Sequence, residues 1–334
     1  MEKLRTLFYG MTHEHASAKL ETLKRMSDTF EVVAIADDRP RGTPCHSTDE
    51  FQPADIPVVS EEAARQMDVD CVLVETANAD LMEIASFFAE KGVPMHCDKP
   101  CGEAMEPYRT IVEKCRAKNL PMQIGYMYRG NPAIRLLDRI AAERWLGEVS
   151  FIEADMNHNY GLAGYPAYIS TFRGGILYNL GGHLIDMAIP FLAGNPTKVM
   201  TELGDALGDP AGSRTRGTAL LSWPGAEVLI RASSQTPGGL PCRRLRIDGT
   251  NGTLDLCPIE RFDGVPLAMT VTLKEPAGGL KAGENRLEFG VQTDRYRDQL
   301  AEFAAAVRDP AANTSSYDRD LRVHELTLRM CGLL

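Results

Sequence analysis

The sequence has eight cysteines and no CxxC pair among them, so the compact spacing of a dithiol redox motif or a zinc ribbon is missing. No apolar run is long enough to span a bilayer. A secretory leader needs a basic start and then an apolar stretch, whereas Met1 to Tyr9 is short and gives way to Gly10 and a polar loop; the expected location is cytoplasmic, with no membrane partner. Positive charge is also in deficit. Lys and Arg number 36 against 46 Asp and Glu, a net charge of −10, which repels polyphosphates and argues against a nucleic-acid partner. There is no internal repeat and no low-complexity tract.

What remains is ordinary globular material, 44% hydrophobic and 25% charged, which excludes disorder and fibrous repeats. At 334 residues the chain exceeds what one core usually organises, so two domains are expected. Cys71 and Cys97 fall in apolar strand-like runs and read as reduced core thiols. For the nearby pair Cys97 and Cys101, packing is weighed against a redox or metal role.

The first third alternates short apolar runs with helical patterns. Strands are expected at Leu4 to Tyr9, Glu31 to Ala36, Pro57 to Val59, Asp70 to Thr76, Pro94 to Cys97 and Pro121 to Gly125. Helices at Ala16 to Met26, Ala79 to Lys91 and Pro107 to Lys118 separate them, and a loop covers Arg39 to Ile56. This is the α/β pattern of a Rossmann doubly wound parallel sheet over residues 1–125. Strands then dominate: Val149 to Asn157, Lys198 to Leu203, Thr218 to Trp223, Glu227 to Ser233, Arg243 to Asp248 and Gly252 to Cys257. Short turns such as Gly249 to Thr253 favour antiparallel pairing. Residues 126–334 are therefore expected to form an α+β domain with an open, mainly antiparallel sheet. Helices Asn179 to Leu192 and Thr293 to Arg308 would cover one face, Pro276 to Gly283 would be a flexible loop, and the helix Tyr317 to Leu334 would return to the first domain.

Four stretches carry candidate chemistry. Gly10-Met11-Thr12-His13-Glu14-His15 follows the first strand where a GxGxxG turn would present amides to a pyrophosphate, but only the first glycine is present; a plain strand-to-helix turn is the alternative. Asp37, after the second strand, is spaced to bond a ribose diol and favours NAD, while Arg39 and Arg41 are near enough to favour NADP instead; a solvated turn is again the alternative. Lys99, in Asp98-Lys99-Pro100, stands at the carboxyl end of a strand, where it could stabilise a developing alkoxide or be a surface lysine. Asn179, His183 and Asp186 share one helical face after Gly174-Gly175, and His183 reads as a base or as a satisfied core histidine.

Together these pieces resemble the glucose-fructose oxidoreductase and inositol dehydrogenase family, Gfo/Idh/MocA. Its EKP motif is matched by Asp98-Lys99-Pro100, and its GGGxxxDxGxH motif by Gly174 to His183. Its TPN turn is matched by Thr76-Ala77-Asn78, and its inter-domain crossing by Gly125 to Pro132. The resemblance implies a dehydrogenase acting on CH–OH groups of a sugar or cyclic polyol, with NAD or NADP. Lys99 and His183 would face one another across the nicotinamide, and Gly10, Thr12, His13, His15, Asp37, Thr76, Asn78 and Lys99 would surround the cofactor. Asn179 stands where the family has aspartate; an amide orients the histidine without raising its basicity. Thr12 replaces a glycine and Leu81 a histidine. Substrate contacts are expected from Tyr128, Arg129, Tyr160, Tyr165, Arg173 and Asp186, with His158, Asn159 and Tyr168 in the same stretch. No metal site is expected, since His13 and His15 lack further ligands on an irregular loop. The resemblance also implies a homo-oligomer, dimer or tetramer, through the second sheet. Two rival functions stand beside the dehydrogenase: an enzyme that oxidises a sugar transiently and returns the hydride, and a non-catalytic sensor of nucleotide or sugar.

Overall fold

A computed structural model describes residues 2–45, 55–160, 164–313 and 316–334. Contacts divide the chain into Met1–Met127 with Tyr296–His324, and Tyr128–Arg295 with Glu325–Leu334. The expected second domain began at residue 126 with its last helix returning to the first; in the contact division Tyr296–His324 groups with the first unit.

The first unit holds strands β1 (Leu4–Tyr9), β2 (Phe30–Asp37), β3 (Val58–Ser60), β4 (Cys71–Val74), β5 (Met95–Cys97) and β6 (Met122–Ile124), with helices α1 (Ala16–Arg25), α2 (Glu61–Gln66), α3 (Leu81–Lys91) and α4 (Met105–Ala117). Every pairing is parallel, in the order β3-β2-β1-β4-β5-β6, the doubly wound order expected. β4 and β5 are buried at every residue, as a sheet covered on both faces requires, which explains the unbroken apolar run of β4. β3 is exposed at the edge. Ser60 caps α2 by accepting from the Ala63 amide at 3.2 Å, with Glu61 and Glu62 in the first turn. Of the expected loop, Arg39–Arg41 is a short 3-10 turn and residues 46–54 lie outside the described residues.

The second unit contains α5 (Pro132–Ala142), β7 (Val149–Asn157), α6 (Gly164–Ser170), α7 (Gly175–Ala188), β8 (Lys198–Gly204), β9 (Arg216–Trp223), β10 (Ala226–Ser233), β11 (Arg244–Gly249), β12 (Gly252–Leu256), β13 (Ala268–Leu273) and β14 (Gly283–Glu288). The sheet runs β14-β13-β12-β11-β7-β10-β9-β8. It is antiparallel except where β7 meets β10. Alternate residues of β9 and β10 point inward, among them Ala219, Leu221, Val228 and Ile230. α7 lies on β7, β9 and β10 and is buried at every position; a helix apolar on most sides is stable only when enclosed in this way. It begins at Gly175, earlier than the periodicity suggests.

Pro276 to Gly283 is not simply a flexible loop: it connects β13 and β14, closing on a Leu280 amide to Ala277 carbonyl bond of 2.8 Å. The helix expected near Thr293 is α8 (Arg297–Arg308) and groups with the first unit rather than covering the second sheet. The last helix, α9 (Tyr317–Met330), starts in the first unit and ends in the second. Among the described residues no helix is long and apolar enough to cross a membrane.

Candidate functional site

In the first unit the candidates gather at the carboxyl ends of β1, β2, β4 and β5. Gly10 closes β1 with φ +105°, and a Cβ there would lie 2.5 Å from the Thr76 nitrogen and 2.6 Å from the Glu75 carbonyl. Only glycine lets these two strand ends approach so closely. Thr12 does not stand in the open: its hydroxyl donates to Asp38 Oδ2, and Asp38 Oδ1 accepts the Met11 amide at 2.7 Å. Asp38 is buried, which pushes its carboxyl up against these two bonds. It pins the loop to the end of β2.

Asp37 is gripped at two points by Arg39, Nε to Oδ1 and Nη2 to Oδ2 both at 2.7 Å, and this pairing holds its carboxyl below the ordinary range. Arg41 is engaged by Glu61 at 2.8 Å and Glu83 at 2.9 Å. Thr76 and Asn78 are buried. The Thr76 hydroxyl and both polar atoms of the Asn78 amide have no hydrogen-bond partner among the described residues, an arrangement that awaits a ligand, water or ion.

Lys99 is 2% exposed, so it is not a surface lysine. Its ammonium donates to Glu14 Oε1 at 3.1 Å. The preceding Asp98 accepts the Lys99 amide on Oδ1 at 2.7 Å, and on Oδ2 accepts Lys19 Nζ at 2.5 Å and His15 Nδ1 at 2.9 Å. Lys19 also donates to Glu75 Oε1 at 2.7 Å and to His96 Nε2 at 2.9 Å. One buried ammonium thus stands between two buried carboxylates. Burial alone would raise both acids, but His13, Lys19 and His15 hold Asp98 well below its ordinary value, whereas burial and the Asp98 charge carry Glu75 well above its own despite Lys19. The two carboxyls are driven in opposite directions, Asp98 towards its anion and Glu75 towards its neutral form. Burial lowers His13 to about 4 and, with Lys19, His96 to about 3, so both are neutral. His13 therefore accepts the His15 amide on Nδ1 and donates from Nε2 to the Lys99 carbonyl, both at 3.1 Å.

His13, His15 and Asp98 offer ligand atoms within 4.8 Å of one another. Asp98 Oδ2 already faces the Lys19 ammonium at 2.5 Å, so a metal at that oxygen would meet a like charge. Cys97 and Cys101 are buried free thiols, and burial pushes Cys97 far up, away from the thiolate that redox or metal chemistry needs.

In the second unit Asn179, His183 and Asp186 sit on one buried face of α7. The Asn179 amide donates to the Tyr165 hydroxyl at 3.3 Å. From there the contacts run in a circuit. Tyr165 packs on Tyr160 with centroids 4.1 Å apart, and Tyr160 stacks on His158 at 4.2 Å. His158 takes Arg243 Nη2 at 2.8 Å, Arg243 Nη1 donates to the Tyr128 hydroxyl at 2.9 Å, and Tyr128 meets His183 edge-on at 5.1 Å. Glu260 Oε1 accepts from Tyr128 at 2.9 Å and from Arg243 at 2.7 Å. Of the expected substrate residues, Tyr128, Tyr160 and Tyr165 join this circuit. Arg129 and Asp186 instead form a two-point ion pair at 2.9 and 2.8 Å. Arg173 is exposed in the turn before α7.

Sequence reasoning missed Lys19, Glu75, Asp38, Arg243 and Glu260. Lys19 had a signal, since it shares the buried face of α1 with Ala16, Leu20 and Leu23, where a lone charge asks for a partner. Arg243 had none, lying in a basic run that reads as a solvated strand.

A doubly wound sheet whose strand ends carry polar groups without a partner among the described residues, and an α+β unit with a polar and aromatic circuit, define a two-unit α/β protein. Residues 134–255 match the family model described as the GFO/IDH/MocA C-terminal domain. Over that stretch the second unit is similar to a domain of the Gfo/Idh/MocA family, as the sequence resemblance implies. A D-apiose dehydrogenase of Paraburkholderia graminis is 24% identical over 205 residues, 60% of this chain and 54% of that protein; the match thus spans little more than half of that relative's length. An inositol dehydrogenase homolog of Azotobacter vinelandii, solved with NADH and myo-inositol, superposes with a TM-score of 0.75 at 15% identity, covering 99% of this chain and 96% of that one. An oxidoreductase of Agrobacterium radiobacter, solved with NAD+, L-tartaric acid and magnesium, gives 0.74 at 18% identity over 98% and 94%. At these identities the solved structures establish a shared fold.

Proposed function

We propose that the chain is an NAD-dependent dehydrogenase that oxidises a secondary alcohol of a sugar or cyclic polyol. The observation that carries this reading is the buried Lys99 ammonium at the carboxyl edge of β5, in the same cluster of strand ends as the partnerless polar groups of Thr76 and Asn78. A dinucleotide fits these groups. Gly10 leaves space that any Cβ would fill, and Asp37 stands where a ribose diol would be read. Around the loop, the amides of Gly10, Met11, His13, His15 and Ala16 are taken internally, which leaves those of Thr12 and Glu14 for a phosphate. Arg39 and Arg41 are committed to carboxylates, which favours NAD over its 2′-phosphate.

NAD, when bound, supplies the hydride acceptor. Lys99 holds the alcohol oxygen and stabilises negative charge developing on it; His183 keeps the role of base that the family resemblance implies. Asn179, bonded to Tyr165, orients its helix face without adding charge. Two of the D-apiose and inositol-type relatives named above act on, or are solved with, polyhydroxylated substrates, which supports the substrate class. A cytoplasmic homo-oligomer is part of the same reading.

The test is a panel of sugars and polyols followed by NADH absorbance, with wild type beside Lys99→Ala. We expect wild type to reduce NAD with at least one member and Lys99→Ala to lose on the order of 10²-fold or more in kcat. Unchanged turnover in Lys99→Ala would refute the role of the lysine. Tightly held NAD with no net NADH would point to the hydride-returning reaction, and NAD binding without reaction to a sensor.

A further inference from the structure

Three consecutive loop residues take hold of the segment that carries Lys99. The His13 imidazole bonds the Lys99 carbonyl at 3.1 Å, the Glu14 carboxylate receives the Lys99 ammonium at 3.1 Å, and His15 bonds the Asp98 carboxylate at 2.9 Å. The middle contact differs from the other two because it reaches the functional end of the side chain. Glu14 and Lys99 side chains are 6% and 2% exposed, so water screens the pair little. We infer that Glu14 is a positioning residue for Lys99, fixing the ammonium for the substrate oxygen from the same loop that borders the cofactor.

The chemistry suits that task. Burial alone would raise the Glu14 carboxyl, but Lys99, His15 and His13 outweigh it and hold the acid far below its ordinary value. Glu14 therefore remains an anion at every working pH and is an anchor rather than a proton carrier. A lysine has four rotatable bonds, and a charge-assisted bond at its tip removes much of that freedom before substrate arrives. The Glu14 amide is also one of the two loop amides left for a phosphate, so cofactor and lysine would be held by one residue, through its main chain and its side chain.

This inference rests on the proposed dehydrogenase reading, and that reading is examined first, in wild type: a chain that oxidises no polyol ends both. With activity in hand, Glu14→Gln, Glu14→Asp, Lys99→Met and the double variant Glu14→Gln/Lys99→Met are compared for kcat, KM and NAD affinity by calorimetry. We expect Glu14→Gln to lower kcat by between about tenfold and a hundredfold, the scale of a misplaced catalytic group, with NAD affinity within about twofold of wild type. Glu14→Asp, which keeps the charge, recovers part of the loss and guards against a folding artefact. The double variant is no slower than Lys99→Met alone, because a residue that acts through another has nothing left to position. Losses that multiply in the double variant would overturn the inference, as would an intact kcat with weakened NAD binding, which would make Glu14 a cofactor contact instead.

Discussion

Lys19→Met removes the buried ammonium at the centre of the first unit while keeping its volume, so the result reads charge rather than packing. Lys19 Nζ bonds Asp98 at 2.5 Å, Glu75 at 2.7 Å and His96 at 2.9 Å, and neither carboxylate partner is exposed. Breaking such a pair by removing one partner costs about 3–5 kcal/mol, because the other charge stays buried. For a domain of this size that is a fall in Tm of roughly 10 °C. The pH dependence has a definite sign. Asp98 is depressed in the fold, so in wild type its contribution is complete above the unfolded carboxylate value of about 3.9 and disappears only in stronger acid. Without Lys19, His96 loses a repelling neighbour and His13 faces an Asp98 in need of a cation. Their folded affinities for protons rise, a contribution that is present at low pH and lost as pH increases. The variant should therefore show its largest deficit against wild type near about pH 8 and a smaller one at about pH 4.5, approaching the values near 4 and 3 from which the two imidazoles start. Urea denaturation at both pH values checks this, followed by far-UV circular dichroism because Trp145 and Trp223 both lie in the second unit. A companion variant sharpens the comparison: Glu75→Gln should cost less than Lys19→Met, since burial and Asp98 already push the Glu75 carboxyl up towards its neutral form. A Lys19→Met chain with wild-type midpoints at both pH values would refute the reasoning.

Three other outcomes follow from the strand ends and from α7. Gly10→Ala drives a Cβ to within 2.5 Å of the Thr76 backbone at a φ of +105°, so it should lose NAD binding and melt lower than wild type, as read by calorimetry and thermal denaturation; normal affinity would mean the loop can move away. Asp37→Ser releases Arg39 from its two-point grip and removes the charge that repels a 2′-phosphate, so the kcat/KM ratio of NAD to NADP should fall by about tenfold or more. Asn179→Asp puts a carboxylate one turn before His183 on the same helix face. That favours the protonated imidazole, and the acid limb of the oxidation pH profile should move to higher pH; superimposable profiles would leave Asn179 no electrostatic role.

Most of the fold was legible because burial on both faces leaves a plain imprint. The Cys71–Val74 core of the expected strand Asp70 to Thr76 is apolar without interruption, and the order of such strands follows from their alternation with helices. β14 escaped because an exposed edge strand, Gly-Glu-Asn-Arg-Leu-Glu, carries no period that marks it. β13 was missed although its residues alternate between partly and fully buried. α8 showed a helical pattern, but periodicity says which face is buried and not against which unit. The site divides along the same line. Gly10, Lys99 and His183 stood out as candidates because each occupies a position defined locally, by a strand end or a helical spacing. The partners that decide their chemistry come from far along the chain: Asp98 meets Lys19 across 79 positions and Lys99 meets Glu14 across 85. A buried charge is therefore a sequence signal only when it interrupts an apolar face, as Lys19 does in α1. Where the neighbouring residues are themselves polar, as beside Glu14 or Arg243, nothing local distinguishes a solvated ion from a buried one with a fixed partner. That distinction exists only once the distant carboxylate, imidazole or phenol has been brought alongside.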